Sequence, residues 1–214
     1  MNKHKTLVII GAGGHGRVVA DCAQQAGYHK NIFFLDDSFA ERKHNAAWEI
    51  KGAVSDWVKY SQEADFIVAL GSNLLRAEIL TQLQAAKASI ATIIHPTAAI
   101  SEHCQIGKGV VVFANAVVNI GTEIADGCII NTAATIDHDC HIAAFSHISP
   151  GANLAGGVHV GRMSWLGIGC SVIECVSIGE NCQVGAGAVI TQNTKSNFLY
   201  LGVPAKAIRS LQSK

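Results

Sequence analysis

The sequence predicts two different folds in one chain: a Rossmann-like α/β unit over residues 1–95 and a left-handed parallel β-helix over residues 96–214. Two observations carry this prediction. Short apolar runs alternate with helical segments up to Ile94, as in a small parallel sheet. From Ile100 onward an aliphatic residue recurs every six positions, which is the period of a β-helix built from hexapeptides. Pro96 marks the boundary, because proline restricts the residue before it.

The N-terminal unit reads as strands separated by helices. A glycine-rich loop, Gly11 to Gly16, joins the first strand to the first helix, and Asp36 and Asp37 end the second strand. The predicted elements are strands at 6–10, 32–35, 66–70 and 89–94, and helices at 17–25, 56–60 and 73–86.

The hexapeptide repeat is unbroken through sixteen successive aliphatic residues, from Ile100 to Ile190. We expect each aliphatic side chain to point into a triangular prism of about five coils, with a small residue two positions earlier in each corner. Gly or Asn often follows the aliphatic residue, as at Gly107 and Asn119, and we expect it to relieve a turn of positive φ. After Ile190 the register is lost, and residues 208–212 are predicted to close the prism as a short helix.

Composition excludes several function classes. Lys+Arg and Asp+Glu are both 16, so no basic stripe for nucleic acid is indicated. No apolar run reaches the ~20 residues of a membrane span, and no signal-peptide core is present, so we expect a cytoplasmic protein. Charged residues are only 15% of the chain, against ~25% in typical proteins, which favours an oligomer.

The seven cysteines include no close Cys-x-x-Cys pair, which argues against a zinc knuckle or a disulfide framework. Five of them occupy the small corner position of the repeat and are interpreted as buried hydrophobic residues. These are Cys104, Cys128, Cys140, Cys170 and Cys182.

The glycine loop matches G-x-G-x-x-G between a strand and a helix, with acidic residues about 20 positions later. A unit of ~95 residues lacks the second half of an NAD-binding domain, so a nucleotide-sugar is the favoured ligand. Its diphosphate would lie at the helix N-terminus, with Asp36 and Asp37 bonding uracil or ribose. A glycine turn without a ligand is the alternative.

His138 is the candidate general base, because it lies in a corner between two carboxylates, Asp137 and Asp139. Gly156, one coil later, would leave room for a thioester and offer its N–H to the oxyanion. His141 and His159, 18 residues apart, are predicted to stack on one solvent-exposed face. Cys140 is predicted to be structural, not a nucleophile.

Five segments together resemble the NeuD/PglD family of sugar O- and N-acetyltransferases, nearest to PglD-like enzymes. They are the loop at 11–16, Ile130-Asn131-Thr132, Asp137-His138-Asp139, residues 145–149 and Gly202-Val203-Pro204-Ala205-Lys206. The resemblance implies a homotrimer with active sites between neighbouring β-helices and acetyl-CoA as donor. The implied acceptor is UDP-4-amino-4,6-dideoxy-N-acetylglucosamine, giving UDP-N,N′-diacetylbacillosamine, with no metal.

The resemblance also implies residue roles. His138 is the base, with Asp139 where relatives often carry Glu. Asn131 and His147 line the acetyl and amine pocket. The remaining implied contacts are Gly156, Ile168 and Ala186 with the pantetheine arm, Lys206 with CoA phosphates, and Gly13, Gly14, His15, Asp36 and Asp37 with the UDP-sugar.

Three alternatives stay open. In the first, the enzyme is an acetyltransferase with a different acceptor, which is sialic acid or another nucleotide amino sugar such as a perosamine or viosamine derivative. In the second, the chain is a trimeric zinc enzyme of γ-carbonic-anhydrase type, with His138, His141 and His147 as ligands. Or the β-helix only assembles partners and has no catalytic function.

Overall fold

The computed structural model describes residues 5–211, and the chain divides into two compact units between Pro96 and Thr97. The N-terminal unit carries the glycine loop, and the C-terminal unit carries His138. Each unit is described by itself below.

The N-terminal unit is a six-stranded sheet with two helices. Its elements are β1 (Thr6–Ile10), α1 (Gly14–Ala26), β2 (Asn31–Leu35), a 3-10 helix (Asp37–Ala40), β3 (His44–Asn45), β4 (Trp48–Gly52), a 3-10 helix (Val54–Tyr60), β5 (Asp65–Val68), α2 (Asn73–Ala85), β6 (Ser89–Ile90) and β7 (Ile93–Ile94). The sheet order is β3-β4-β2-β1-β5-β6, and all pairs are parallel except β3 with β4. The parallel sheet expected from the alternating pattern is therefore present.

Two features of this unit differ from the sequence prediction. The hairpin of β3 and β4 was not predicted, because residues 41–45 are polar and β3 has only two residues. The hairpin is held in place because β4 pairs with β2, and no pattern in residues 44–52 alone indicates that pairing. The strand predicted at 89–94 is two short strands, β6 and β7.

The C-terminal unit is a parallel β-helix with three faces, as the repeat predicts. Face 1 contains β8 (Ala99–Ile100), β11 (Val117–Val118), β14 (Thr135–Ile136), β17 (Asn153–Leu154), β20 (Ser171–Val172) and β23 (Val189–Ile190). Face 2 contains β9 (Gln105–Ile106), β12 (Glu123–Ile124), β15 (His141–Ile142), β18 (His159–Val160) and β21 (Ser177–Ile178). Face 3 contains β10 (Val111–Val112), β13 (Ile129–Ile130), β16 (His147–Ile148), β19 (Trp165–Leu166) and β22 (Gln183–Val184).

The second residue of every strand is the aliphatic residue of the repeat. From Val112 to Ile190 all of these side chains are buried, while Ile100 and Ile106 are half-buried. Strands on one face pair in a register of 18 residues, as in Thr135 with Asn153. Residues 18 apart therefore stack directly over one another, about 4.8 Å apart.

The prediction that the residue directly after the aliphatic one has positive φ is wrong for the corners from residues 107–110 to residues 185–188. The positive-φ residue is the third corner residue, as at Gly121 (φ 77°) and Asp139 (φ 57°), and not the first. First-position glycines serve another purpose: a Cβ on Gly107 would lie 2.7 Å from the backbone nitrogen of Asp126 in the next coil. They allow the coils to approach closely, and the third position requires left-handed backbone.

The chain after the last coil forms a hairpin. β24 (Phe198–Gly202) adds to face 3 beside β22 and pairs antiparallel with β25 (Ala205–Ser210). The short helix predicted at 208–212 is therefore wrong for residues 208–210, and residues 212–214 lie outside the described part. The cause is the turn at Val203-Pro204, which reverses the chain so that β25 satisfies its backbone groups on β24.

The corner cysteines are mostly buried, as expected. Cys128, Cys140, Cys170 and Cys182 are at most 1% exposed, while Cys104 is half-buried. Across residues 5–211, no helix has the length and apolar character needed to cross a membrane.

Candidate active site

His138 and Asp139 form a hydrogen-bonded dyad in the corner that joins face 1 to face 2. His138 Nδ1 lies 2.8 Å from Asp139 Oδ2. The contact fixes a proton on Nδ1, so that Nε2 is the nitrogen able to accept a proton. Asp139 therefore reaches the imidazole, although its side chain is short and its backbone has the left-handed conformation.

Asp137 supports the same corner from the other side. Its Oδ1 accepts hydrogen bonds from the His138 backbone N–H and from Asn119 Nδ2, both at 2.8 Å. The hydrogen bond to Asp139, together with the negative charge of Asp137, raises the pKa of His138 above its ordinary value. The bond from Asn119 lowers the pKa of Asp137, so this carboxylate stays ionised beside the histidine.

Gly156 lies directly over the imidazole ring. A Cβ at this position would be 2.5 Å from Nε2 and 2.6 Å from Cε1 of His138. Only glycine leaves the ring in its present position, because the Nε2 edge of the ring occupies the space that a Cβ on residue 156 would take. This juxtaposition is the one that the 18-residue spacing predicts.

A second cluster lies on face 3. Asn131 Nδ2 is 3.1 Å from Nε2 of His147, and the His147 ring stacks on Trp165 with centroids 5.8 Å apart and planes 5° apart. Trp165 Nε1 in turn donates to Ser149 Oγ at 2.7 Å. Trp165 is 47% exposed, so the cluster offers a flat aromatic surface. The family resemblance implies that Asn131 and His147 line one pocket, whereas no role was predicted for Trp165 or Ser149.

The two clusters are on opposite sides of the prism in one chain. His138 occupies the corner between faces 1 and 2, and this corner is opposite face 3, which carries His147. Ile168 and Ala186 lie in the corner between faces 3 and 1, which also contains Asn131 and Ser149, and Ile168 is 63% exposed. A single chain therefore does not bring Asn131, His147, Ile168 and Ala186 to the corner that holds His138 and Gly156.

Lys206 lies on β25 in the C-terminal hairpin. It lines a cavity of about 120 Å³ together with Thr191, Asn193 and Tyr200. The lysine is exposed, so its ammonium is accessible to an anion.

The glycine loop of the N-terminal unit is held by three polar side chains, of which Asn45 is buried, Asp36 half-buried and Arg42 exposed. Ala12 donates its N–H to Asp36 Oδ2 at 2.7 Å, and its carbonyl accepts from Arg42 at 2.6 Å and from Asn45 at 2.8 Å. Gly13 caps α1, and Gly14 is its first residue; a Cβ on either would meet no atom within 4 Å. The loop backbone is therefore open on the side of the helix N-terminus, as a diphosphate would require.

The predicted nucleotide-binding side chains have internal partners. Asp36 also accepts from Ser38, and Asp37 accepts the Val54 N–H at 2.9 Å. Burial opposes ionisation of Asp36, but the bonds from Ser38 and Ala12 outweigh it and lower its pKa. Burial and the charge of Arg76 lower the pKa of His15 to about 4, so its ring is neutral at pH 7.

The predicted surface histidines are where the repeat places them. His141 and His159 are paired on face 2, with ring centroids 6.0 Å apart, and both are exposed. His141 Nδ1 is 3.4 Å from Glu123 Oε2. In the part of the chain that the structure describes, no three His, Cys, Asp or Glu side chains are grouped as a metal site.

Comparison with known proteins bears on both units. The family model for the PglD N-terminal domain matches residues 6–83, and that for the bacterial transferase hexapeptide (six repeats) matches residues 157–192. The acetyltransferase domain of PglB from Neisseria gonorrhoeae is 38% identical, with 96% of this chain and 100% of that chain covered and a TM-score of 0.93. The chain belongs to the PglD family of hexapeptide-repeat sugar acetyltransferases.

Two further relatives bear on ligands. PerB from Caulobacter crescentus, solved with CoA and GDP-perosamine, is 34% identical over 95% of this chain and 97% of its own, with a TM-score of 0.90. The same gonococcal domain is also solved in complex with acetyl coenzyme A. A UDP-N-acetylbacillosamine N-acetyltransferase of Bacillus subtilis is 33% identical over 112 residues, and the match spans about half of each chain (51% and 52%).

Proposed function

We propose that this chain transfers the acetyl group of acetyl-CoA to the 4-amino group of UDP-4-amino-4,6-dideoxy-N-acetylglucosamine, forming UDP-N,N′-diacetylbacillosamine. The observation that carries the reaction type is the His138–Asp139 dyad, with the Nε2 edge of the ring beside Gly156, which has no side chain. The match to the Bacillus subtilis enzyme supports this acceptor. A second candidate acceptor, another nucleotide amino sugar, is favoured by the PerB complex with GDP-perosamine.

The mechanism is direct transfer. His138 Nε2 takes a proton from the sugar amine while the amine nitrogen forms a bond to the thioester carbonyl carbon. The carbon–sulfur bond then breaks, and the CoA thiolate leaves and takes the proton from the imidazolium. Asp139 holds the ring and stabilises its positive charge. Orientation of two bound substrates supplies much of the acceleration, and no acyl-enzyme forms.

We also propose that three copies assemble and that each active site is shared by two of them. Support comes from the separation within one chain: His138 is opposite the face that carries Asn131 and His147. A neighbouring copy related by a three-fold axis would bring its face 3 cluster to the His138 corner. Light scattering that gives a monomer at micromolar concentration would contradict this assembly.

In the N-terminal unit, we propose that the open backbone at Gly13 and Gly14 binds the nucleotide diphosphate. His15 contributes a neutral ring, and Asp36 acts by holding Ala12 in place as well as by facing the ribose. Lys206, together with Ile168 and Ala186, is proposed to contact CoA.

The decisive experiment assays acetyl-CoA with a panel of UDP-, GDP- and dTDP-linked 4-amino sugars, free 4-amino sugar and sialic acid. The UDP-linked sugar should be the best substrate, the free sugar very poor, and UDP should compete. Efficient acetylation of sialic acid with no response to UDP would favour the O-acetyltransferase instead. His138→Ala should lower kcat/KM by about 10²–10⁴, the usual contribution of a general base. The matched control is His141→Ala, a nearby exposed histidine, which should do much less.

A further inference from the structure

We propose that residues 119–122, the corner one coil before His138, form the positioning element of the dyad, and that Gly121 is the residue that allows Asp139 to reach His138. This inference rests on the proposed function, because it concerns the base of that reaction. Neither residue 119 nor residue 121 stood out in the sequence as a separate motif.

The preceding corner holds the His138 corner at several points. Asn119 Nδ2 donates to Asp137 Oδ1 at 2.8 Å. Thr122 Oγ1 donates to the Asp137 carbonyl at 2.8 Å and accepts the Cys140 N–H at 3.2 Å, so one hydroxyl joins both ends of the corner. The Asp139 N–H donates to the Ile120 carbonyl at 3.0 Å. These bonds fix the backbone from which both carboxylates extend.

Gly121 is required for a different reason: the Asp139 carboxylate occupies the space that a side chain at position 121 would need. A Cβ on Gly121 would overlap Oδ1 of Asp139, whose Oδ2 binds His138. Because Oδ1 is the end of a short side chain, the carboxylate can rotate away at little cost to the fold. Rotation would remove Oδ2 from Nδ1 and leave the imidazole without its orienting partner.

Other glycines separate this effect from backbone strain. Gly151 is also the third residue of a corner, with φ 64°, but a Cβ there would meet no atom within 4 Å. Alanine at Gly151 therefore imposes the same left-handed backbone as alanine at Gly121 (φ 77°) without touching any side chain. Gly151 belongs to the corner between faces 3 and 1 and is not a proposed ligand contact.

The electrostatic surroundings of His138 are simple. Within one chain, its own corner contributes Asp137, Asp139 and the neutral thiol of Cys140, and the coils on either side stack Ile120 and Gly156 over it, neither of which is charged. In the proposed trimer, the His147 cluster of a neighbouring copy would also face this corner. Movement of Asp139 should therefore change the pKa of His138 directly.

The test compares Gly121→Ala with Gly151→Ala. Both should fold and lose similar thermal stability. Gly121→Ala should lower kcat on the order of tenfold to a hundredfold, part of what a general base supplies, and leave KM for acetyl-CoA unchanged. Gly151→Ala should keep the wild-type kcat. NMR titration should give a lower His138 pKa in Gly121→Ala than in the wild type.

A double-mutant cycle distinguishes positioning from a general structural role. Asp139→Gly removes the carboxylate at a position whose φ of 57° glycine tolerates. If Gly121 acts through Asp139, the double variant should be no slower than Asp139→Gly alone, whereas independent effects would multiply. If Gly121→Ala does not fold, Asn119→Ala serves as the second variant and should also lower the His138 pKa by releasing Asp137.

The outcomes separate the two proposals. A wild type that acetylates no sugar, with a lowered His138 pKa in Gly121→Ala, overturns the function but keeps the positioning role. An active wild type whose Gly121→Ala variant retains both rate and pKa, or whose cycle is multiplicative, overturns the positioning role alone.

Discussion

Two inactive variants should restore activity to each other when they are forced into the same trimer. His138→Ala removes the base from the corner between faces 1 and 2, and His147→Ala removes the imidazole stacked on Trp165 on the opposite face. Each substitution should abolish most activity alone. If every active site takes His138 from one copy and His147 from the next, a mixed trimer contains intact sites.

The magnitude follows from counting sites around the three-fold axis. An intact site needs a copy with His138 followed by a copy with His147. Whether a mixed trimer contains one or two copies of the first variant, one such junction occurs per ring. Each mixed trimer should therefore show about a third of wild-type activity per trimer, against about 1% or less for either parent.

The assay is co-expression of the two variants with different affinity tags, followed by tandem purification of trimers that carry both tags. Acetylation is then measured with saturating acetyl-CoA. The control is each variant co-purified with a second tagged copy of itself. Mixed trimers that are no more active than these controls would refute the shared site, and failure to recover both tags together would refute the trimer.

Three further predictions concern single positions. Gly156→Ala should lower kcat/KM at least about tenfold, because its Cβ would lie 2.5 Å from Nε2 of His138 and displace the ring. Steady-state kinetics measure this loss, and a wild-type kcat/KM would contradict the contact between Gly156 and His138. Asp139→Gly should lower the pKa of His138, since the raised pKa depends first on this bond; the acidic limb of kcat/KM, which rises as the base deprotonates, should move to lower pH. An unmoved limb would show that another group titrates. Asp36→Asn should raise KM for the nucleotide sugar several-fold and leave KM for acetyl-CoA unchanged, because the Ala12 N–H loses a charged acceptor. Equal changes in both KM values would contradict a role of Asp36 in binding the nucleotide sugar. Activity should also persist in EDTA.

The repeat made most of the C-terminal unit predictable. Period six assigns the inner side chain, and period 18 assigns which corners stack, so the contact of His138 with Gly156 follows from the numbers alone. Stepping by 18 from Asp137 and Asp139 also reaches Asn119 and Gly121, and the same step from His147 reaches Trp165. The same 18-residue spacing that predicts the contact of His138 with Gly156 therefore also predicts the contacts of these residues.

Other features depended on contacts that no period encodes. The polar hairpin of β3 and β4 exists because β4 pairs with β2, and its Asn45 then binds the glycine loop. The C-terminal hairpin likewise depends on pairing of β25 with β24. The positive φ of the third corner residue required backbone geometry, because Asp139 and Phe145 occupy it as well as glycine.

The 18-residue register constrains how a gene for this chain can change in length. Insertion or deletion of one residue that no corner loop absorbs would rotate every later side chain relative to the earlier ones, and turn inner aliphatic residues outward. Duplication or loss of a complete coil would instead lengthen or shorten the prism by about 4.8 Å and leave every corner stacked. Relatives should therefore differ within the prism by whole coils, and smaller length differences should be confined to corner loops, to the N-terminal unit and to the C-terminal hairpin.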